Sequence, residues 1–180
     1  MTEQIRCALD GNRVCGALLI DMSKAFDSVR REVLLPKLAA YGVGPGALKL
    51  LNSYLSDRRQ TVQTEGMKAP EIEVKLGVPQ GSIFGPLGFL VVINDLPQVC
   101  RGKVSIFADD TTITYECDSF KELERVMQED AIAVAEWCET NCLKLNATKT
   151  QYIIFHKGRS ETPELNIQIE NERIKKTSKT

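Results

Sequence analysis

The 180-residue sequence predicts an α+β fold, an antiparallel sheet with helices packed on one face. Three observations predict it. Strand-like and helical segments alternate without the steady βαβ rhythm of a parallel sheet. Two segments, "QTVQTEGMKAPEIEVK" and "VSIFADDTTITYE", alternate about a turn and read as hairpins. A long stretch, roughly Ser119 to Asn141, sets Phe120, Leu123, Met127, Ala131, Val134 and Cys138 along one helical stripe.

In chain order, "QIRCALDG" reads as the last turns of a helix stopped by Gly11. "VCGALLID" is an apolar run of strand length, buried on both faces. "RREVLLPKLAAYG" and "GALKLLNSYLSDR" have helical spacing and end at Gly42 and around Asp57. The first hairpin turns at Gly66. In "GVPQGSIFGP", Gly77, Gly81 and Gly85 with Pro79 and Pro86 make a bent loop with exposed backbone. An apolar helix, "LGFLVVINDL", follows it. The second hairpin, bending at Ala108–Asp110, leads to the long helix, the strand "QYIIFH" and the polar tail "KKTSKT".

Length fits one domain with a real core, and 43% apolar with 26% charged residues is ordinary for a soluble globular protein. A formal charge of −1 carries no bulk signature of nucleic-acid binding. That weakens a simple binding module but leaves room for an enzyme whose acidic centre offsets basic surfaces. The six cysteines show no framework spacing. Cys138 and Cys142, four apart, could share a helix face, yet zinc needs two further ligands and His156 is the sole histidine. Free thiols in a reducing compartment are expected. No signal peptide is visible, and "PLGFLVVI" is too short to span a bilayer, so a soluble intracellular protein without membrane association is expected.

Asp109 and Asp110 are the anomaly, because Val104, Ile106, Phe107 and Ile113 around them read as core. A tight turn explains an isolated Asp pair. Asp21, closing "GALLID", has its own plain explanation: Asp21 or Ser23 caps the next helical turn. Taken together the three suggest more. If the "ALLID" and "VSIFADD" strands are neighbours, Asp21 meets the pair at one sheet edge. Carboxylates within about 4–6 Å of one another repel and require compensating positive charge. Hard divalent cations such as Mg²⁺ fit oxygen ligands best. Two such ions about 3.5–4 Å apart polarise the attacking and leaving oxygens of a phosphoryl transfer.

The blocks "LIDMSKAFDSV", "GVPQGSIFGPLGFLVVINDLP", "FADD" and "LKLNATKTQYIIF" resemble, in order and spacing, a reverse transcriptase palm of the non-LTR retrotransposon (long interspersed element) type. The resemblance runs from about Ala17 to Phe155. It implies a single partial reverse transcriptase domain over residues 1–180: a polymerase palm with truncated fingers on the N-terminal side and no thumb. The activity it implies is RNA-directed DNA polymerisation, with an RNA template, a DNA primer and dNTP as partners. Two Mg²⁺ ions, with Mn²⁺ as an alternative, are the implied cofactors, and the fragment alone is expected to be inactive. A nuclear or cytoplasmic location is implied as well.

By motif position the resemblance makes Asp21, Asp109 and Asp110 the catalytic metal ligands, Asp110 less directly, with Met22 contributing its carbonyl. Asp27 falls outside that set and is expected to cap or to pair with a cation. Phe26 takes the position that closes the pocket beneath the sugar and excludes a 2′-hydroxyl, with Ala25 keeping the nucleotide floor flat. Gln80, with Gly81 beside it, lies near the incoming nucleotide and template. Lys149 takes the place of a proton donor to the leaving pyrophosphate. A viral-type RNA-dependent RNA polymerase is the nearest alternative, opposed by Phe26 at the gate and by "PQG". A non-catalytic remnant is the other, opposed by the intact Asp21, Asp109 and Asp110.

Overall fold

A computed structural model describes residues 2–158 and 161–177. The chain opens with α1 (Thr2–Asp10), β1 (Val14–Ile20) and β2 (Met22–Ser23). Then come α2 (Ala25–Ser28), α3 (Arg31–Ala40) and α4 (Pro45–Leu55). Four short strands follow: β3 (Arg58–Gln60), β4 (Gln63–Thr64), β5 (Met67–Lys68) and β6 (Ile72–Val74). Helix α5 (Phe84–Ile93) precedes a 3₁₀ turn at Leu96–Gln98. The second half carries β7 (Lys103–Phe107), β8 (Asp110–Cys117), α6 (Phe120–Thr140), β9 (Lys144–Leu145) and β10 (Gln151–Phe155). It closes with β11 (Gln168–Ile169), β12 (Glu172–Arg173) and β13 (Lys175–Lys176). The chain divides into two compact units, Met1–Ser23 with Asp95–Thr180, and Lys24–Asn94.

The first unit is built on a five-stranded sheet in the order β13-β10-β1-β8-β7. All its pairings are antiparallel except β10 with β13, which is parallel. The expected antiparallel sheet is thus right but for its last edge, where "KK" of the tail becomes a strand; Ser178–Thr180 lie outside the described residues. Strand β1 is central and almost wholly buried, as its unbroken apolar run requires. Helix α6 packs on it so closely that a Cβ at Gly16 would stand 2.8 Å from Leu123 Cδ1 and 3.1 Å from Met127 Sδ. That contact is why a glycine interrupts the apolar strand. Ser119 caps α6 by accepting from the Glu122 N–H at 3.2 Å, while Glu122 Oε2 accepts from the Asp118 N–H at 3.3 Å. The buried stripe Leu123, Met127, Ala131, Val134 and Cys138 matches the helical spacing.

The second unit packs α3 against α4 and α5. Leu34, Leu38, Phe89, Val92 and Ile93 form its core. The hairpin about Gly66 forms as β4–β5, extended outward by the pair β3–β6. Two local expectations need correction. Helix α5 begins at Phe84, so Gly85 and Pro86 are inside its first turn and not in the preceding loop; a proline is tolerated where the N–H has no intrahelical partner. Cys138 lies buried in α6 but Cys142 is exposed beyond its end at φ 56°, so they share no helix face. Among the described residues no helix is long and apolar enough to cross a membrane.

Candidate active site

The β1–β8 register runs from Val14 opposite Cys117 to Ile20 opposite Thr111. The ladder ends at that pair, so Asp21 is the residue after the last paired position of β1 and Asp110 the residue before the first of its partner in β8. Strand β8 itself begins at Asp110, which pairs with Phe107 of β7 across the two-residue turn Ala108–Asp109. Ala108 takes the left-handed conformation, φ 54°, that such tight hairpin turns require. The expected neighbour of β1 is the strand "VSIFADD"; that block is divided by the turn, so β8, which begins at its Asp110, lies against β1 and "KVSIF" of β7 is the edge. The consequence for the site is the same: all three carboxylates belong to one end of the sheet. Asp21 is half-buried, while Asp109 and Asp110 are exposed.

These residues fit a hard divalent cation in donor chemistry and in place, being carboxylate oxygens on a solvent-open edge. Among the described residues, however, no three Asp, Glu, His or Cys side chains approach closely enough to form a ligand cluster. The register brings the carboxylates to one edge; the side chains do not close into a shell.

Asp21 is fixed by its backbone. Its N–H donates to Thr150 Oγ1 at 3.2 Å, and its C=O accepts from the Asn146 N–H at 2.8 Å. Met22 and Ser23 then pair with Leu145 and Lys144. The "LKLNATKT" block therefore holds the segment that follows β1. Lys149 lies exposed in its turn, donating its N–H to the Asn146 C=O at 3.2 Å. The N-cap position of α2 falls on neither Asp21 nor Ser23, contrary to the simplest reading of the sequence. The N-cap of α2 is Lys24, in the left-handed region at φ 50° with no side-chain cap, so α2 starts by a backbone reversal.

The remaining motif residues belong to the second unit. Gly77 donates its N–H to the Val29 C=O at 2.7 Å, and Val78 to the Phe26 C=O at 3.0 Å, so "GVPQG" is hydrogen-bonded along "AFDSV". The approach is close enough to demand glycine: a Cβ at Gly77 would lie 2.7 Å from Asp27 Cα, and φ is +80°. Gln80 Nε2 donates to Asp27 Oδ1 at 2.8 Å, giving Asp27 a neutral amide partner in place of the expected cation or cap. The half-buried Phe26 ring stacks at a tilt on Phe89, centroids 4.9 Å apart, and Ala25 is buried beside it. Gly81, φ +79°, has open space where a side chain would go. Arg58 donates to the carbonyls of Leu76 (2.9 Å) and Gly77, steadying the start of the same loop.

One supporting residue escaped the sequence reading. Asp130, 1% exposed on α6, accepts from the Arg101 N–H at 2.9 and 3.1 Å and from the Gly102 N–H at 2.9 Å, where the chain enters β7. A carboxylate three residues after Met127 and four before Val134 stands on the apolar stripe, and that was its signal. Burial first, and then the Asp130 carboxylate, push the Tyr115 phenol of β8 well above its ordinary range.

The profile described as reverse transcriptase (RNA-dependent DNA polymerase) matches residues 1–176. The chain belongs to the reverse transcriptase family. Among curated reverse transcriptase relatives, a probable RNA-directed DNA polymerase from transposon BS of Drosophila melanogaster is 34% identical over 83% of this chain and 17% of its own length. Another, from transposon X-element of the same organism, is 31% identical over 93% of this chain and 19% of its own. The chain thus spans less than a fifth of the length of these two relatives. These mobile-element relatives agree with the non-LTR resemblance of the motif blocks. Among solved structures, apo telomerase from Candida tropicalis superposes with a TM-score of 0.60 at 17% identity, over 88% of this chain and 35% of that one. Telomerase of the same organism in complex with a fragment of telomeric RNA gives 0.62 at 15% identity, over 92% and 30%. At such identities the likeness concerns the reverse transcriptase fold, and it agrees with the α+β assignment.

Proposed function

We propose that this segment is the catalytic palm portion of an RNA-directed DNA polymerase of a non-LTR retrotransposon, extending a DNA primer on an RNA template with dNTP. The observation that carries the reading is the β1–β8 register, whose last pair, Ile20 with Thr111, adjoins Asp21 on one strand and Asp110 on the other, with Asp109 in the adjoining turn. Asp21 and Asp109 are assigned to two Mg²⁺ ions, replaceable by Mn²⁺, with Asp110 less direct and Met22 contributing its carbonyl. Such ions, when bound, activate the primer 3′-hydroxyl and stabilise the leaving pyrophosphate. The chain's part is placement. The hairpin turn presents Asp109 at an exposed edge, and the Asn146–Thr150 segment fixes the backbone of Asp21.

In the second unit, Phe26, five positions after Asp21, is assigned to exclude a 2′-hydroxyl, with Ala25 flat beneath the nucleotide. Phe89 braces that ring from behind. Gln80 and Gly81 are assigned to the nucleotide and template, and Lys149 to proton donation toward pyrophosphate. Mn²⁺ titration of the 180-residue chain, read by electron paramagnetic resonance, tests the metal assignment. Asp21→Asn and Asp109→Asn should each weaken binding at least about tenfold, and Lys149→Ala should not. Binding unchanged in both aspartate variants would refute the reading. In a polymerase containing this segment, Asp21→Asn abolishes primer extension. Phe26→Val there admits ribonucleotides, raising their relative kcat/KM by roughly ten- to two-hundred-fold. Unchanged sugar selectivity would make Phe26 a core residue only.

A further inference from the structure

We infer that Thr150 is the positioning residue of Asp21, its buried hydroxyl standing in for the missing backbone partner where the chain leaves β1. Thr150 is fully buried, and its Oγ1 accepts the Asp21 N–H at 3.2 Å while donating to the Asn146 C=O at 2.9 Å. The same Asn146 returns its N–H to the Asp21 C=O at 2.8 Å. Both peptide groups of Asp21 are therefore held by a single five-residue turn, Asn146 to Thr150. That turn is wound about one carbonyl: the Asn146 C=O also accepts the N–H of Lys149 at 3.2 Å and of Thr150 at 2.9 Å. Thr148 Oγ1 donates to Asn146 Oδ1 at 2.8 Å and closes the turn from outside.

The need for the hydroxyl follows from the register. Strand β1 pairs with β10 as far as Leu19 opposite Gln151, and with β8 as far as Ile20 opposite Thr111. At Asp21 both ladders stop, and the chain turns into the short pair Met22–Leu145. A residue at such a junction ordinarily has unpaired backbone groups and loose dihedrals. A carboxylate that must meet a metal ion tolerates little of that, because the productive geometry spans about 0.5 Å. The Thr150 hydroxyl removes the looseness without adding a side chain to the solvent-facing edge. Serine would keep the hydrogen bonds, and valine would keep only the shape.

The inference rests on the assignment of Asp21 to a metal ion, and the experiment separates the two. Mn²⁺ binding is measured on the 180-residue chain for wild type, Thr150→Val, Thr150→Ser and Asp21→Asn, beside a thermal melt of each. Thr150→Val should raise the Mn²⁺ Kd about ten- to a hundredfold, as loss of a group that orients a ligand does, and Thr150→Ser should stay within about twofold of wild type. Wild-type affinity in Thr150→Val, with affinity lost in Asp21→Asn, overturns the positioning role alone. Wild-type affinity in Asp21→Asn overturns the metal assignment and this inference with it. A second readout serves if Thr150→Val does not fold: the Asp21 amide of the wild-type chain should exchange with solvent slowly, like a ladder residue. Rapid exchange there would overturn the inference.

Discussion

Asp130→Ala is the sharpest test of how α6 supports the β7–β8 hairpin. The Asp130 carboxylate is buried and is the acceptor for two backbone N–H groups, Arg101 and Gly102, at the entry to β7. Hydrogen bonds to a charged acceptor contribute about 1.5–3 kcal/mol each, so losing both removes roughly 3–6 kcal/mol. Relief of the carboxylate's own desolvation offsets part of this, leaving a net loss of about 2–4 kcal/mol. For a chain of this size, that lowers Tm by roughly 4–16 °C. Asp130→Asn keeps one acceptor oxygen but turns an amide toward the other donor, and it should fall between Ala and wild type. Thermal melts by circular dichroism give the loss, and amide exchange at Arg101 and Gly102 locates it. A Tm within about 1 °C of wild type in Asp130→Ala would refute the reasoning, since it would mean that these two part-buried N–H groups lose their acceptor without cost.

Alkaline pH should destabilise the first unit. Burial pushes the Cys138 thiol up to about 12, and burial with the Asp130 carboxylate pushes Cys100 up to about 12, from an ordinary 9.0. A folded pKa raised above the unfolded one gives stability that is complete below pH 9 and lost between 9 and 12 as the unfolded thiols ionise. The Tm should therefore fall over that window, less steeply in Cys138→Ala; a flat profile would contradict the assignment. Gly77→Ala forces a Cβ onto the Asp27 backbone at a left-handed φ and should cost the second unit about 2–4 kcal/mol, read by urea unfolding, with stability near wild type as the contrary result. Ser119→Ala removes the α6 cap and should cost about 1 kcal/mol, while Ser119→Asp should cost little; equal melts for Ser119→Ala and wild type would show the cap idle.

The sequence alone determined most of the main elements and the family. Helix α6, strand β1 and both hairpins follow from local spacing, capping and turn residues, all within a few positions of one another. The four motif blocks likewise identified the family, and by motif position they singled out Asp21, Asp109 and Asp110 as the residues proposed for its chemistry. Tertiary structure decided how those pieces meet. Only the register shows that β1 lies against β8 with β7 at the edge, and that the tail returns as a parallel strand. Only the folded chain shows Thr150 bonded to Asp21, 129 residues away, and Asp130 bonded to Gly102, 28 away. A hydrogen bond between distant positions leaves no periodic mark, because either partner read locally is merely a threonine before a strand or an aspartate on a helix. The backbone reversal at Lys24 was hidden for a related reason: a left-handed φ at a non-glycine residue is imposed by its surroundings against its own preference.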